Sequence, residues 1–189
     1  MKKILIILSA LPAIFIAGCV VTSVYPYYTD KDLTFNPGLL GTRTESKTND
    51  SGTISTETWV CSKASENAYT YTGTTPTETN TFSAHLFKLG GKRFLDWYPL
   101  QKNNDFIPPH YLLEVRQVTP TPELVPMDYS WLEDLLAKHP NAVRHIRLYD
   151  KPDKSDKGRI VLTADTKELQ KFVLKYMNNP QAFVSESTK

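Results

Sequence analysis

Residues 85–99 read HLFKLGGKRFLDWYP, and this stretch decides the fold class. Two β-like runs flank Gly90-Gly91. A glycine pair supplies the positive φ angles of a two-residue turn, so the stretch predicts a tight hairpin between strands 79–89 and 92–98. Working outward, Thr-rich alternating runs bounded by Gly, Pro, Asn and Ser recur at 39–46, 54–62, 67–73 and 110–118. In the last of these, Tyr111, Leu113 and Val115 alternate with His110, Leu112, Glu114 and Arg116, the period of a strand with one mainly apolar face. The run TPTPELVP at 119–126 carries too many prolines for a central strand and reads as a connector.

The last third changes period. Asp128 caps a predicted helix over 129–138, where Leu132, Leu135 and Leu136 form a stripe beside Trp131. His139-Pro140 ends it. Runs 143–149 and 159–163 predict a strand pair joined by the charged loop 150–158. Asp165, with Glu168 three residues on, predicts a capping box. It opens a helix over 166–177 with Leu169, Phe172, Val173 and Tyr176 on its apolar face. The expected fold is therefore β-rich α+β: an antiparallel curved sheet or barrel over 33–127, followed by two short helices. Residues 33–189 suffice for one domain with a real core. Residues 20–32 (VVTSVYPYYTDKD) read either as a tether or as the first piece of that domain.

The amino terminus has another grammar. Lys2 and Lys3 precede an apolar run, Ile4 to Ile16, and small residues Ala17 and Gly18 precede Cys19. A basic start, a short apolar stretch and a small-residue cleavage site make a secretory signal. Ile16-Ala17-Gly18-Cys19 resembles the lipobox of bacterial lipoproteins. The resemblance implies cleavage between Gly18 and Cys19, a diacylglyceryl thioether on Cys19 and N-acylation, commonly by palmitate. It implies a signal peptide over 1–18, an anchored tether over 19–32 and a domain outside the cytoplasm. Val20, rather than Asp, after the cysteine implies the outer membrane facing the periplasm, where a cell has two membranes. The rival reading is an uncleaved signal anchor, because no charge falls between Ile4 and Tyr28.

Two further resemblances bear on the rest of the chain. Leu39-Leu40-Gly41-Thr42 resembles the opening Gly-x-Trp strand of lipocalin-like barrels, with Arg43 where that family carries its Trp. The combination of lipobox, LLGTR, HLFKLGGKRFLDWYP, HYLLEV and LTADTKELQKFV is similar to small bacterial lipoproteins, to which no activity is attached.

Removing residues 1–18 takes away Lys2 and Lys3 and no acid, leaving 20 basic against 20 acidic side chains. That balance excludes nucleic acid as an expected partner, since phosphate binding needs a basic excess. With Cys19 acylated, Cys61 has no intrachain partner, and its place in the run Thr58–Cys61 suggests a buried core thiol.

No phosphate-loop, dinucleotide, nucleophile-elbow, HExxH, CxxC or Ser-x-x-Lys pattern occurs, so no cofactor and no metal are expected from motifs. Only a cluster assembled by the fold remains. His85, Asp96 and His110 lie on neighbouring β runs and would suit acid–base or zinc chemistry if they met. Trp97 beside Asp96, with Phe94, Leu95 and Tyr98, would suit an apolar pocket. His145 and Arg147 share a strand face that would suit a carboxylate. The leading expectation is a membrane-anchored envelope lipoprotein that binds a small apolar ligand or a protein partner without catalysis. The alternatives are a hydrolase or metal-dependent enzyme using His85, Asp96 and His110, and a structural envelope component.

Overall fold

The computed structural model describes residues 20–48, 54–100, 109–149 and 158–184. The expected signal segment, with Gly18 and Cys19, lies outside the described residues, as do most of the 150–158 loop and the last five residues. Among the described residues the strands are Thr22–Ser23 (β1), Gly41–Thr48 (β2), Ile54–Lys63 (β3), Tyr69–Thr74 (β4), Thr79–Leu89 (β5), Lys92–Pro99 (β6), His110–Gln117 (β7), Glu123–Pro126 (β8), His145–Leu148 (β9) and Arg159–Leu162 (β10). The helices are Tyr129–Lys138 (α1) and Thr166–Tyr176 (α2).

All ten strands join one mixed, mostly antiparallel sheet in the order β2-β3-β4-β5-β6-β7-β1-β10-β9, with β8 paired to β7 off this path. Only β1 and β10 run parallel. The sheet is open. Closure into a barrel needs the two end strands to bond each other, and here β2 pairs with β3 while β9 pairs with β10. The barrel alternative, and with it the lipocalin-like closure suggested by residues 39–42, gives way to an open sheet.

The central hairpin forms as its glycines require. Gly90 (φ 57) and Gly91 (φ 83) both adopt positive φ, which a two-residue primed turn demands. Leu89 then faces Lys92, His85 faces Asp96 and Phe82 faces Pro99. The turn also docks on α2: a Cβ at Gly90 would collide with Leu174 and Met177.

Alternation along these strands builds a core on each face. Leu86, Leu95, Trp97, Leu113 and Val115 join Trp59, Cys61, Tyr69, Tyr71 and Phe82 on one side. Phe87, Phe94 and Leu112 meet Leu132 and Leu136 of α1 and Leu169, Phe172 and Val173 of α2 on the other. Glu114, nearly buried on the helical side, accepts from Lys92 Nζ at 2.6 Å and Arg116 Nε at 3.1 Å. Lys92 also donates to the Met177 carbonyl, and Arg116 to that of Phe183. One carboxylate thus ties the end of α2 and the chain beyond it to the sheet.

Two expectations change and one open reading narrows. Of the two readings of residues 20–32, the pairing of β1 favours the first piece of the domain. β1 pairs β7 on one side and β10 on the other, and Val21 and Tyr27 are buried in the helical-side core. Two residues of strand are too short to announce themselves by alternation, although Val20-Val21-Thr22-Ser23-Val24 is rich in β-branched side chains. Residues 123–126, read as connector, form β8; its one pairing partner lets it end on Pro126, as a peripheral strand can. The capping box is half formed. The Asp165 carboxylate accepts from the Glu168 backbone N–H, but the Glu168 carboxylate turns to Arg144 Nε at 2.7 Å.

Candidate functional site

The hairpin register sets His85 opposite Asp96, with side chains on one face. The β6–β7 register sets Asp96 opposite Leu112, so His110, two residues before Leu112, lies on that same face diagonal to Asp96. The fold therefore brings His85, Asp96 and His110 together. Trp97, one residue on, points through the sheet into the other core. There it packs on Tyr71 (centroids 4.7 Å), Phe82 (5.4 Å) and Trp59 (5.4 Å). Four residues weighed together in sequence thus divide three to one across the sheet.

Asp96 is fully buried. Its Oδ1 lies 2.7 Å from His110 Nδ1 and its Oδ2 accepts from the Tyr27 N–H at 2.8 Å. This contact fixes the orientation of the His110 ring, with Nδ1 toward the carboxyl group. Tyr98 packs on the His110 ring at 4.9 Å and Tyr28 stacks on His85 at 4.8 Å. Burial lowers the pKa of His85; Asp96 pulls against that shift and His110 adds to it. Burial, with the charges of Asp96 and Asp30, pushes the Tyr28 hydroxyl up to about 12.

A buried aspartate that orients an imidazole is the second half of an acid–base relay. The hydroxyl opposite His110 in the β1–β7 register belongs to Ser23. It is buried and donates to the Tyr25 carbonyl at 2.6 Å. Among the described residues no group of three or more His, Cys, Asp or Glu side chains is placed to hold a metal. The same carboxylate also holds the chain at Tyr27 onto the sheet, which gives it a structural duty.

The other candidates are engaged elsewhere. Arg147 donates to Glu133 Oε1 at 3.2 Å, and His145 Nδ1 lies 3.0 Å from the Val143 carbonyl. His139 caps α1 with its backbone N–H on Leu135. Cys61 is buried and free. Burial raises its thiol pKa, against lesser lowering by the Tyr71 hydroxyl and Arg43, so little thiolate forms near neutrality. Sequence reasoning missed Tyr27 and Tyr28, which sit in the supposed tether. Their only signal was aromatic side chains in a segment otherwise read as linker.

A groove of about 400 Å³ runs along α1. Asp128, Trp131, Leu135, Lys138 and His139 line it at helical spacing, with Gln181 and Val184 opposite. Val20 pairs with Asp128 at one end of this groove.

No protein-family model matches the chain, and comparison with curated proteins and with solved structures finds no match.

Proposed function

We propose that the chain is an envelope lipoprotein, acylated on Cys19, whose domain is a non-enzymatic recognition module for a protein partner. One observation supports the anchoring: Val20, the residue after the lipobox cysteine, pairs with Asp128, and β1 two residues on lies inside the sheet. Acylation at Cys19 would hold the whole domain against the bilayer with no slack. More than one acyl chain makes such attachment firm, at about 0.8 kcal/mol per buried methylene. The side chain at position 20 favours the outer membrane.

A protein partner is favoured over a small apolar ligand. The aromatic interior that would receive such a ligand is occupied by its own buried rings, Trp59, Tyr71, Phe82 and Trp97, packed on one another. Exposed Ile146 and Leu148 instead line β9, an end strand of the sheet, and Tyr149 follows them. Cells making the Cys19→Ser chain are expected to lose incorporation of labelled fatty acid into this protein and to retain residues 1–18 on it. Undiminished labelling in that variant would remove the proposal.

The Asp96–His110 contact favours one second reading, hydrolysis with His110 as base. It requires turnover of an ester or phosphoester by the purified wild-type domain, with a loss of about 100-fold or more in His110→Gln, since general-base catalysis contributes roughly that much. Equal rates in the two proteins would leave the histidine a structural role only.

A further inference from the structure

We infer that the surface around the Val20–Asp128 pairing, the start of α1 and its groove is the face that rests on the lipid headgroups, with Trp131 at the membrane boundary. The inference rests on the reading of Cys19 as the acylated residue.

The argument begins with reach. Successive Cα atoms lie about 3.8 Å apart, so the anchored residue sits within one such step of Val20. Val20 is no free arm. It pairs with Asp128, and Asp128 is fixed twice: its backbone N–H donates to the Ala182 carbonyl at 2.9 Å and its Oδ1 accepts from the Trp131 N–H at 2.7 Å. Val21 beyond is buried. An acyl chain on the residue next to Val20 therefore brings the surface beside Val20 to the bilayer.

That surface suits a headgroup layer. Ser130 is exposed and Trp131 partly so. Trp131 is one turn from Asp128, and its ring is braced by Tyr176 at 5.4 Å and Phe172 at 6.2 Å. Indole rings favour the boundary between apolar and wet phases. Farther along the groove Leu135 supplies apolar surface, and exposed Lys138 can keep its stem on that surface with its ammonium among phosphates. The acyl chains themselves belong in the bilayer, because the groove is bordered by Asp128, Ser130, Asp134 and Gln181.

The strand registers also define the face turned away. Tyr69, Ala84, Trp97, Tyr111 and Thr22 form one row across the sheet. From that row Val20 lies one way along the strands, and the β4–β5 turn carrying exposed Glu78 lies the other.

The test uses the full lipidated protein in vesicles of phosphatidylethanolamine and phosphatidylglycerol. Nitroxides are attached at Ser130→Cys or at Glu78→Cys, and mass spectrometry of the amino-terminal peptide reports the lipid on Cys19. The expected result is a lipidated peptide, with the label at 130 relaxed several-fold more by membrane-dissolved oxygen, relative to aqueous nickel, than the label at 78. A lipidated peptide with equal accessibility at both positions would overturn the membrane face and leave the anchor standing. An amino-terminal peptide without lipid would overturn both.

Discussion

At the scale of single residues, the buried carboxylate of Asp96 links two regions distant in sequence, Tyr27 and His110. His85 shares its face and carries a lowered pKa, chiefly from burial. The sign follows directly. The unfolded chain binds a proton near the ordinary value of 6.5, and the folded chain only at lower pH. Stability from the neutral ring is therefore present above about 6.5 and is lost as pH falls toward the folded value. Asp96, His110 and Asp30 are the charged groups acting on this ring. The thermal midpoint of wild type should fall between pH 7.5 and 5.5 by more than that of His85→Phe, which keeps a ring against Tyr28. Parallel falls, followed by circular dichroism, would assign the pH dependence to other groups. None of these contacts was legible as such. His85, Asp96 and His110 were candidates because neighbouring β runs carried them; the Tyr27 N–H as Asp96's second partner has no signature in a linear chain.

At the scale of elements, strong local chemistry was read well. The Gly90-Gly91 turn, long strands with clear alternation and helices opened by Asp128 and Asp165 all form where local rules place them. Both caps accept a backbone N–H three residues on. The elements that escaped are short ones. β1 has two residues, too few for a period to separate strand from linker; β8 has four, as do β9 and β10, but the prolines around it argue for a connector. Their pairing comes from neighbours: β1 fills the position between β7 and β10, and without it the Ile160 and Leu162 backbone would lose a partner strand. Glu168 shows the same limit at a cap, since Arg144, 24 residues away, takes the carboxylate that the local pattern assigns to the helix start.

At the scale of the molecule, the amino-terminal segment is a keystone. It joins the β2–β7 part of the sheet to β10 and β9 through β1, supplies Tyr27 to the helical-side core and receives Gln170 of α2 on the Tyr27 carbonyl at 3.1 Å. A chain begun at Leu33 should lose Val21 and Tyr27 from the core and leave Asp96 buried with one partner fewer. Large core truncations cost roughly 2–5 kcal/mol each, comparable with half or more of a typical domain's stability of about 5–15 kcal/mol. The shortened chain should therefore unfold at much lower urea than the chain begun at Val20, or fail to fold. An unchanged urea midpoint would return residues 20–32 to the role of tether.

By itself the sequence determined the class: a β-rich chain with two late helices, a central glycine hairpin and no motif that names a reaction; the address proposed from Ile16–Cys19 is likewise a local reading. These follow from local rules of turn geometry, alternation, capping and signal grammar, which act over a few residues. Only the tertiary structure decided that the sheet stays open, that Trp97 leaves the company of His85, Asp96 and His110, and that residues 20–32 belong inside the fold. Those outcomes depend on which strands become neighbours and which face each side chain takes across them. Such pairings are set by contacts between segments as distant as Tyr27 and Gln170, 143 residues apart, and no local rule carries that information.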